Sequence, residues 1–343
     1  TPLTVDEWAD QFRYLSQKAS AEPGRYRTSR TPFLREIMQC LSPSSPVQEI
    51  VFMKSAQIGG SEAGFNFIGF VIDRCPAPTM MIQPRVEDAE RVVKQRIAPM
   101  IRECPTLKDK IREAKSEGDA SDTIMMKDFP GGVLLSTGAN SGAGLRSMPA
   151  RFIFMDEIDA YPKDVDGEGD PVRLAQKRAD TFPRRKIFKN STPTYKGASN
   201  IEAEYETSDK RRYYVPCPHC DGLQHLQWKQ LKWDKDNAGK FISGSVRYEC
   251  EHCGEGIKEH HKTKMLECGK WIAEHPERPI AGFHINALYS PLGWCSWNKI
   301  VTDWYEAQGD QNKLKAFINT ELGETFEVKG EDTPKWRSIY NKR

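Results

Sequence analysis

The 343-residue sequence has no apolar run approaching the roughly 18 to 20 residues of a membrane span, so no membrane partner is expected. It has almost no net charge. Fifty Lys and Arg against 48 Asp and Glu leave +2, so contact with a polyanion must come from local patches rather than from a global field. No charged segment leads into an apolar stretch at the start, and no secretory leader is expected. The nine cysteines are odd in number, which without a leader argues for a reducing compartment. Cys40, Cys75, Cys104, Cys268 and Cys295 then read as core or neutral thiols. No internal repeat or low-complexity tract is present.

What is there changes character along the chain. Residues 1–45 carry helical periodicity in "VDEWADQFRYLSQ" and "PFLREIMQCL", parted by the polar, basic "EPGRYRTSRT", and read as a helical lead-in. Over 46–210, "QEIVFM" reads as a strand, "SEAGFNFIGFVID" as a helix ended by Cys75 and Pro76, and "TMMIQP" as a second strand. There follow the long amphipathic helix "RVEDAERVVKQRIAPMIREC", a hairpin of "TIMMKDF" and "GVLLST", and the strand "RFIFM". Strands alternating with helices predict an α/β fold with a doubly wound, mainly parallel sheet covered on both faces. The alternation stops near Tyr205. Residues 211–258 turn to short strands and paired cysteines, and 259–343 form an aromatic-rich tail expected to pack on the core.

In the usual phosphate loop, G-x-x-x-x-G-K-[ST], backbone N–H groups cradle phosphates, the lysine reaches the β and γ oxygens, and the hydroxyl helps hold Mg²⁺. Here glycine stands in that lysine's place. The stretch runs Lys54, Ser55, Ala56, Gln57, Ile58, Gly59, Gly60, Ser61, Glu62, with its lysine moved to the first position. A loop folded back on itself returns the Lys54 ammonium to the phosphates, Gly59 and Gly60 permit close backbone approach, and Ser61 opens a helix whose N-terminus favours an anion. The competing reading is a plain strand-turn-helix. In "RFIFMDEIDAYP", Asp156 ends a buried strand at the crevice where such sheets bind ligands, placed to hold Mg²⁺, and Glu157 is placed to orient or deprotonate an attacking water. The alternative is a strand end with acidic caps. Together the two motifs point to an ATP-hydrolysing core. Ser191, Thr192 and Thr194 of "KNSTPT" are candidates to sense the γ-phosphate, or else cap a turn before Pro193. Arg146 in "GANSGAGLRSMP" is a candidate arginine finger, in cis or from a neighbouring subunit, or else a surface arginine.

"CPHC" and "CEHC" place Cys217, Cys220, Cys250 and Cys253 in two C-x-x-C knuckles about 29 residues apart, each followed within two residues by a glycine, Gly222 and Gly254. Four thiolates close a tetrahedron around a structural Zn²⁺, and the spacing suits a zinc ribbon with a long hairpin. Disulfides compete with this reading, and His219 or His252 could replace a cysteine. Two basic runs, Arg184, Arg185, Lys186 and Lys189, then Lys210, Arg211 and Arg212, are candidate nucleic-acid contacts or solvated surface.

"GRYRTSRTPFLREIMQCL", "VFMKSAQIGGSE", "FIFMDEIDAYP", "NSTPT", the paired knuckles and "GFHINALYSPLGW…FINTELGE" together resemble the lambda-like GpA family of phage terminase large subunits, from about Pro23 to Glu324. That resemblance implies an ASCE-type P-loop ATPase, a motor that pumps double-stranded DNA into a procapsid. It implies Lys54 as the displaced lysine, Ser61 and Asp156 at the magnesium, Glu157 as catalytic base, Ser191 to Thr194 as coupling motif, and Tyr26 to Phe33 near the adenine. The implied partners are the small terminase subunit, the portal and further copies in a ring, in the host cytoplasm. A helicase-like translocase and a non-catalytic zinc-ribbon adaptor are the rivals. Many members carry a lysine at the position of Gly60, where this chain relies on Lys54 alone. The family's nuclease domain is expected to begin where the chain stops, since no acidic cluster for a two-metal cut follows Glu324.

Overall fold

The computed structural model describes residues 2–18, 20–111 and 125–328. Its centre is a ten-stranded sheet. In chain order the strands are β1 (Glu49–Lys54), β2 (Thr79–Gln83), β3 (Met126–Phe129), β4 (Gly132–Gly138), β5 (Phe152–Asp156), β6 (Lys186–Ser191), β7 (Arg211–Pro216), β8 (Leu223–His225), β9 (Lys270–Ala273) and β10 (Ala281–Ile285). In space they run β8-β7-β10-β1-β6-β5-β2-β4-β3, with β9 also beside β7. From β7 to β4 all neighbours are parallel, and the antiparallel strands β3, β8 and β9 lie outside that run. Strand β6 thus separates β1, which feeds the glycine loop, from β5, which ends in the carboxylates.

Both faces of the parallel strands are covered, which is why they read as unbroken apolar runs rather than as alternating ones. On β1, Ile50 and Phe52 join one core with Trp8, Phe33, Ile68 and Phe154, while Val51 and Met53 join a second with Ile153, Met155 and Tyr205. The lead-in helices α1 (Val5–Phe12) and α2 (Leu34–Leu41) pack on α3 (Gly60–Arg74), the helix that leaves the glycine loop. Apolar residues surround α3 on all sides, so it is buried almost throughout.

Two expectations change. The long helix after β2 forms, but Val93–Ile97 is a π-helical turn between Val86–Val92 and Ala98–Glu103. Pro99 has no N–H for the turn before it, and a local change of winding accommodates that loss. The sheet does not end near Tyr205: β7 to β10 extend it, and β10 enters its middle, parallel to β1 on one side and β7 on the other. A five-residue buried strand followed by an aromatic stretch gave no sign of that insertion. The hairpin forms as β3 and β4, and Thr123 and Ile124 of its expected first strand lie outside the described residues.

The basic runs are corrected too. Lys186 is buried and donates to the carbonyls of Cys40, Ser45 and Val47; Lys189 is fully buried between Glu49 (3.1 Å) and Glu204 (2.6 Å). Arg211 pairs with Asp209 and Glu36, and Lys210 with Glu206. Apart from Lys210, whose partner Glu206 is exposed, these cations balance buried or part-buried carboxylates and carbonyls. Of the first run, only Arg184 is exposed without a recorded ion pair.

Candidate active site

The chain leaves β1 into Gln57 and Gly59, both with positive φ (53° and 90°), and turns directly into α3. Glycine takes φ near 90° at no steric cost, whereas Gln57 stores strain there. This fold-back brings Lys54, at the tip of β1, over the first residue of α3. A Cβ on Gly60 would lie 2.7 and 2.8 Å from Lys54 Cε and Cδ and would also collide with Asn190 Oδ1. Glycine is therefore required at 60 because the side chain of Lys54 passes through the space a residue there would fill.

Glu157, just past the tip of β5, also adopts a left-handed conformation, φ 51°. That turn aims its carboxylate back at the loop, where Oε1 pairs with Lys54 Nζ at 3.1 Å. Its other oxygen accepts from the Thr192 amide and hydroxyl, each at 3.3 Å, and lies 3.5 Å from the Ser191 hydroxyl. Asp156 is buried and meets neutral donors: Ser61 Oγ at 2.9 and 3.1 Å, Asn190 Nδ2 at 2.5 Å and Gln83 Nε2 at 3.4 Å. Burial, and secondarily the neighbouring Glu157, push its carboxyl above the usual aspartate range. A buried carboxylate so placed, with a serine hydroxyl beside it, is a donor set suited to a hard divalent cation.

These groups open on a cavity of about 1100 Å³. Lys54, Ala56 to Glu62, Asp156, Glu157 and Thr192 form one wall, and Glu22 to Arg27, Arg30 and Trp294 part of the other. The segment Tyr26 to Phe33 expected near a base contributes Tyr26, Arg27, Ser29, Arg30, Thr31 and Pro32 to the lining.

Some predicted residues fall outside the cavity or are engaged by other partners. Ser55 does not line the cavity, and its N–H donates to Ile285 O of β10 at 3.0 Å; the Ala56 N–H donates to Thr320 O at 2.8 Å. Those two amides hold the loop rather than a ligand. Gly323, φ 62°, packs so closely on them that a Cβ would lie 2.8 Å from Ser55 N. Glu62 accepts from Arg13 and Arg96. Arg146 pairs with Glu168, is half exposed, and is absent from the cavity wall, so the fold does not bring it to the site in cis. Thr194 donates to half-buried Asp159 at 2.8 Å, which also accepts from the Ile201 amide, so this threonine shapes the turn. Sequence reading missed Asn190 and Gln83; each is a polar residue at the end of an apolar strand, the one signal available.

The four knuckle sulfurs lie within 4.8 Å of one another, with Cys217–Cys253 and Cys220–Cys250 at 3.9 Å. A disulfide needs about 2.05 Å, and all four are free thiols. Zn–S bonds of about 2.3 Å put tetrahedral sulfurs about 3.8 Å apart, which these distances fit. The backbone N–H groups of His219 and His252 each point at a knuckle sulfur at 3.4 Å, the His252 ring is engaged with Leu223 O, and the ligand atoms gathered together among the described residues are the four sulfurs.

Residues 20–271 match the family model described as phage terminase large subunit gpA, ATPase domain. The chain belongs to the gpA family of phage terminase large subunits. Relatives include the terminase large subunit of Enterobacteria phage P21, 32% identical over 355 residues, and that of Escherichia phage lambda, 31% identical over 358. These alignments take in 95% and 97% of the chain but 53% and 54% of the relatives, so the chain spans about half their length. The large terminase ATPase domain of Thermus phage P74-26 aligns with a TM-score of 0.45 at 14% identity, over 82% of this chain and 90% of that one. Residues 280–343 match the gpA endonuclease-domain model, which corrects the expectation that the nuclease region lies wholly beyond this chain. The start of that match, at 280, coincides with β10, a strand of the central sheet. Residues 329–343 lie outside the described residues.

Proposed function

We propose that this gpA terminase chain is an ATP hydrolase of the ASCE P-loop type, the motor that couples turnover to movement of double-stranded DNA into a procapsid. The observation that carries this reading is the convergence of Lys54, Ser61, Asp156 and Glu157 on one cavity, with β6 interposed between β1 and β5. The triphosphate lies along the turn into α3, where the amides from Gln57 to Ser61 and the helix N-terminus favour negative charge. Ser61 and Asp156 hold Mg²⁺, which supplies charge neutralisation for the phosphates. Lys54 pairs with Glu157 across the site. Phosphate oxygens compete for that ammonium, which frees Glu157 to orient the water that attacks phosphorus and to take its proton. Ser191 and Thr192 touch the same carboxylate, so a change at Glu157 reaches the strand end that follows it.

The knuckles hold one structural Zn²⁺, since four thiolates leave no open coordination position. The small terminase subunit, a portal and neighbouring copies are the partners, in the host cytoplasm, and Arg146 acts from a neighbour if it acts as a finger. No helix among the described residues is long and apolar enough to cross a membrane. The adaptor reading rested on Gly60, and that glycine now has a steric reason that keeps Lys54 in place. The test is ATP turnover by the purified chain with Mg²⁺, with and without duplex DNA. Turnover raised by DNA without strand displacement supports a packaging motor; strand displacement favours a helicase-like translocase, and absence of turnover rejects both.

A further inference from the structure

The carboxylate of Asp156 is bracketed by two amides, one from each strand flanking β5: Asn190 on β6 and Gln83 on β2. Asn190 is directly opposite Asp156 in the parallel register and opposite Phe52 of β1 on its other side. It is fully buried, between Lys189 and Ser191 in the chain. A carboxylate only accepts, so the nitrogen of the Asn190 amide must face Asp156, and this fixes Oδ1 on the opposite side. There Oδ1 lies against Gly60 and has no hydrogen-bond partner among the described residues. A buried acceptor left unpaired is unfavourable, and an apolar side chain of the same size would avoid it.

We propose that Asn190 is a positioning residue of the nucleotide site. Its Nδ2–H fixes the Asp156 carboxylate toward Ser61, and its unpaired Oδ1, beside Gly60, would accept from a water carried by a bound cation. The proposal rests on the ATPase reading above. It assigns no contact with the reacting atoms: Asn190 acts through Asp156, and Gln83, at 3.4 Å, is its weaker counterpart.

The experiment is calorimetric titration of a non-hydrolysable ATP analogue into the wild type, Asn190→Leu and Asn190→Ser, each with Mg²⁺ and with EDTA. Leucine keeps the branched heavy-atom skeleton and removes both polar groups. The affinity in EDTA should be unchanged, while the gain produced by Mg²⁺ should shrink about 10- to 100-fold, the usual effect of losing a residue that orients a metal ligand. Should Asn190→Leu not fold, Asn190→Ser reads the same quantity, because its hydroxyl is too short to make the Asp156 contact. Equal losses in Mg²⁺ and EDTA would make Asn190 a mere support of the loop, and an unchanged Mg²⁺ gain would remove its role altogether; either result overturns the proposal. A wild type whose analogue affinity ignores Mg²⁺ would instead reject the ATPase reading on which it stands.

Discussion

The nucleotide cavity and the cysteine cluster are both gathered from distant positions, but they hold their shape for opposite reasons. The cavity is preformed by packing: Asp156 and Asn190 are fixed by strand register, Lys54 by the absence of a side chain at Gly60, and the loop by Ile285 and Thr320. The cluster brings four thiols together on short turns: Cys217 and Cys250 are buried beside Val215, Tyr248 and Ile257, while Cys220 and Cys253 are exposed. The exposed pair has no such packing, and a bound ligand is what would hold it. One site should therefore survive the loss of what it binds and the other should not.

The largest expected effect follows from that contrast. A structural zinc contributes about 10 to 16 kcal/mol of coupled binding and folding free energy, so Cys217→Ser or Cys253→Ser, or treatment with a chelator, should abolish hydrogen-exchange protection over residues 223–257. Strands β1, β5 and β6 should keep theirs. Elemental analysis should find one zinc per chain in protein prepared without chelators, and its absence there, with the strands still protected, would break the comparison.

A smaller effect tests the preformed side. Gly60→Ala forces a methyl group against Lys54 and Asn190 and should destabilise the chain by about 1 to 3 kcal/mol, as overpacking does. Adding Lys54→Ala should recover part of that loss, because the two side chains contend for one space. Denaturant melts of the two single variants and the double variant measure the coupling; strictly additive costs would mean that Lys54 does not occupy the position described.

The smallest effect separates charges the fold consumes from charges left for a partner. Arg184→Glu should lower the slope of log DNA affinity against log salt by about 0.9 if Arg184 meets a duplex phosphate. Lys189→Met should leave that slope alone and lower stability instead, since it strands Glu49 and Glu204. Filter binding over a salt series, beside melts, distinguishes the two.

The same contrast explains what the sequence made legible. The cysteine pairs could be read because their ligands recur at fixed local spacing. Lys54, Ser61, Asp156 and Glu157 could be read because each sits at the end of an apolar strand or the start of a helix. Asn190 and Gln83 could not, because their meaning lies in the order of strands: only after β6 and β2 are placed on either side of β5 do the two amides face one carboxylate. Lys186 and Lys189 looked like surface because a charge run carries no mark of the carbonyls and carboxylates waiting for it in the fold. The insertion of β10 beside β1 was hidden for the same reason. It is a pairing between segments more than 200 residues apart, and it joins the start of the endonuclease-model match to the loop that the ATPase-model match contains.

The central claim is that Lys54 replaces the missing lysine at 60 as the phosphate-binding cation, while Glu157 acts on water. Calorimetric titration of a non-hydrolysable ATP analogue with Mg²⁺ into the wild type, Lys54→Ala and Glu157→Gln tests it directly. Loss of the charge-assisted contact should weaken binding to Lys54→Ala by about 1.5 to 3 kcal/mol or more. Glu157→Gln should bind as the wild type does and yet fail to turn ATP over. Equal affinity in all three proteins would contradict the account.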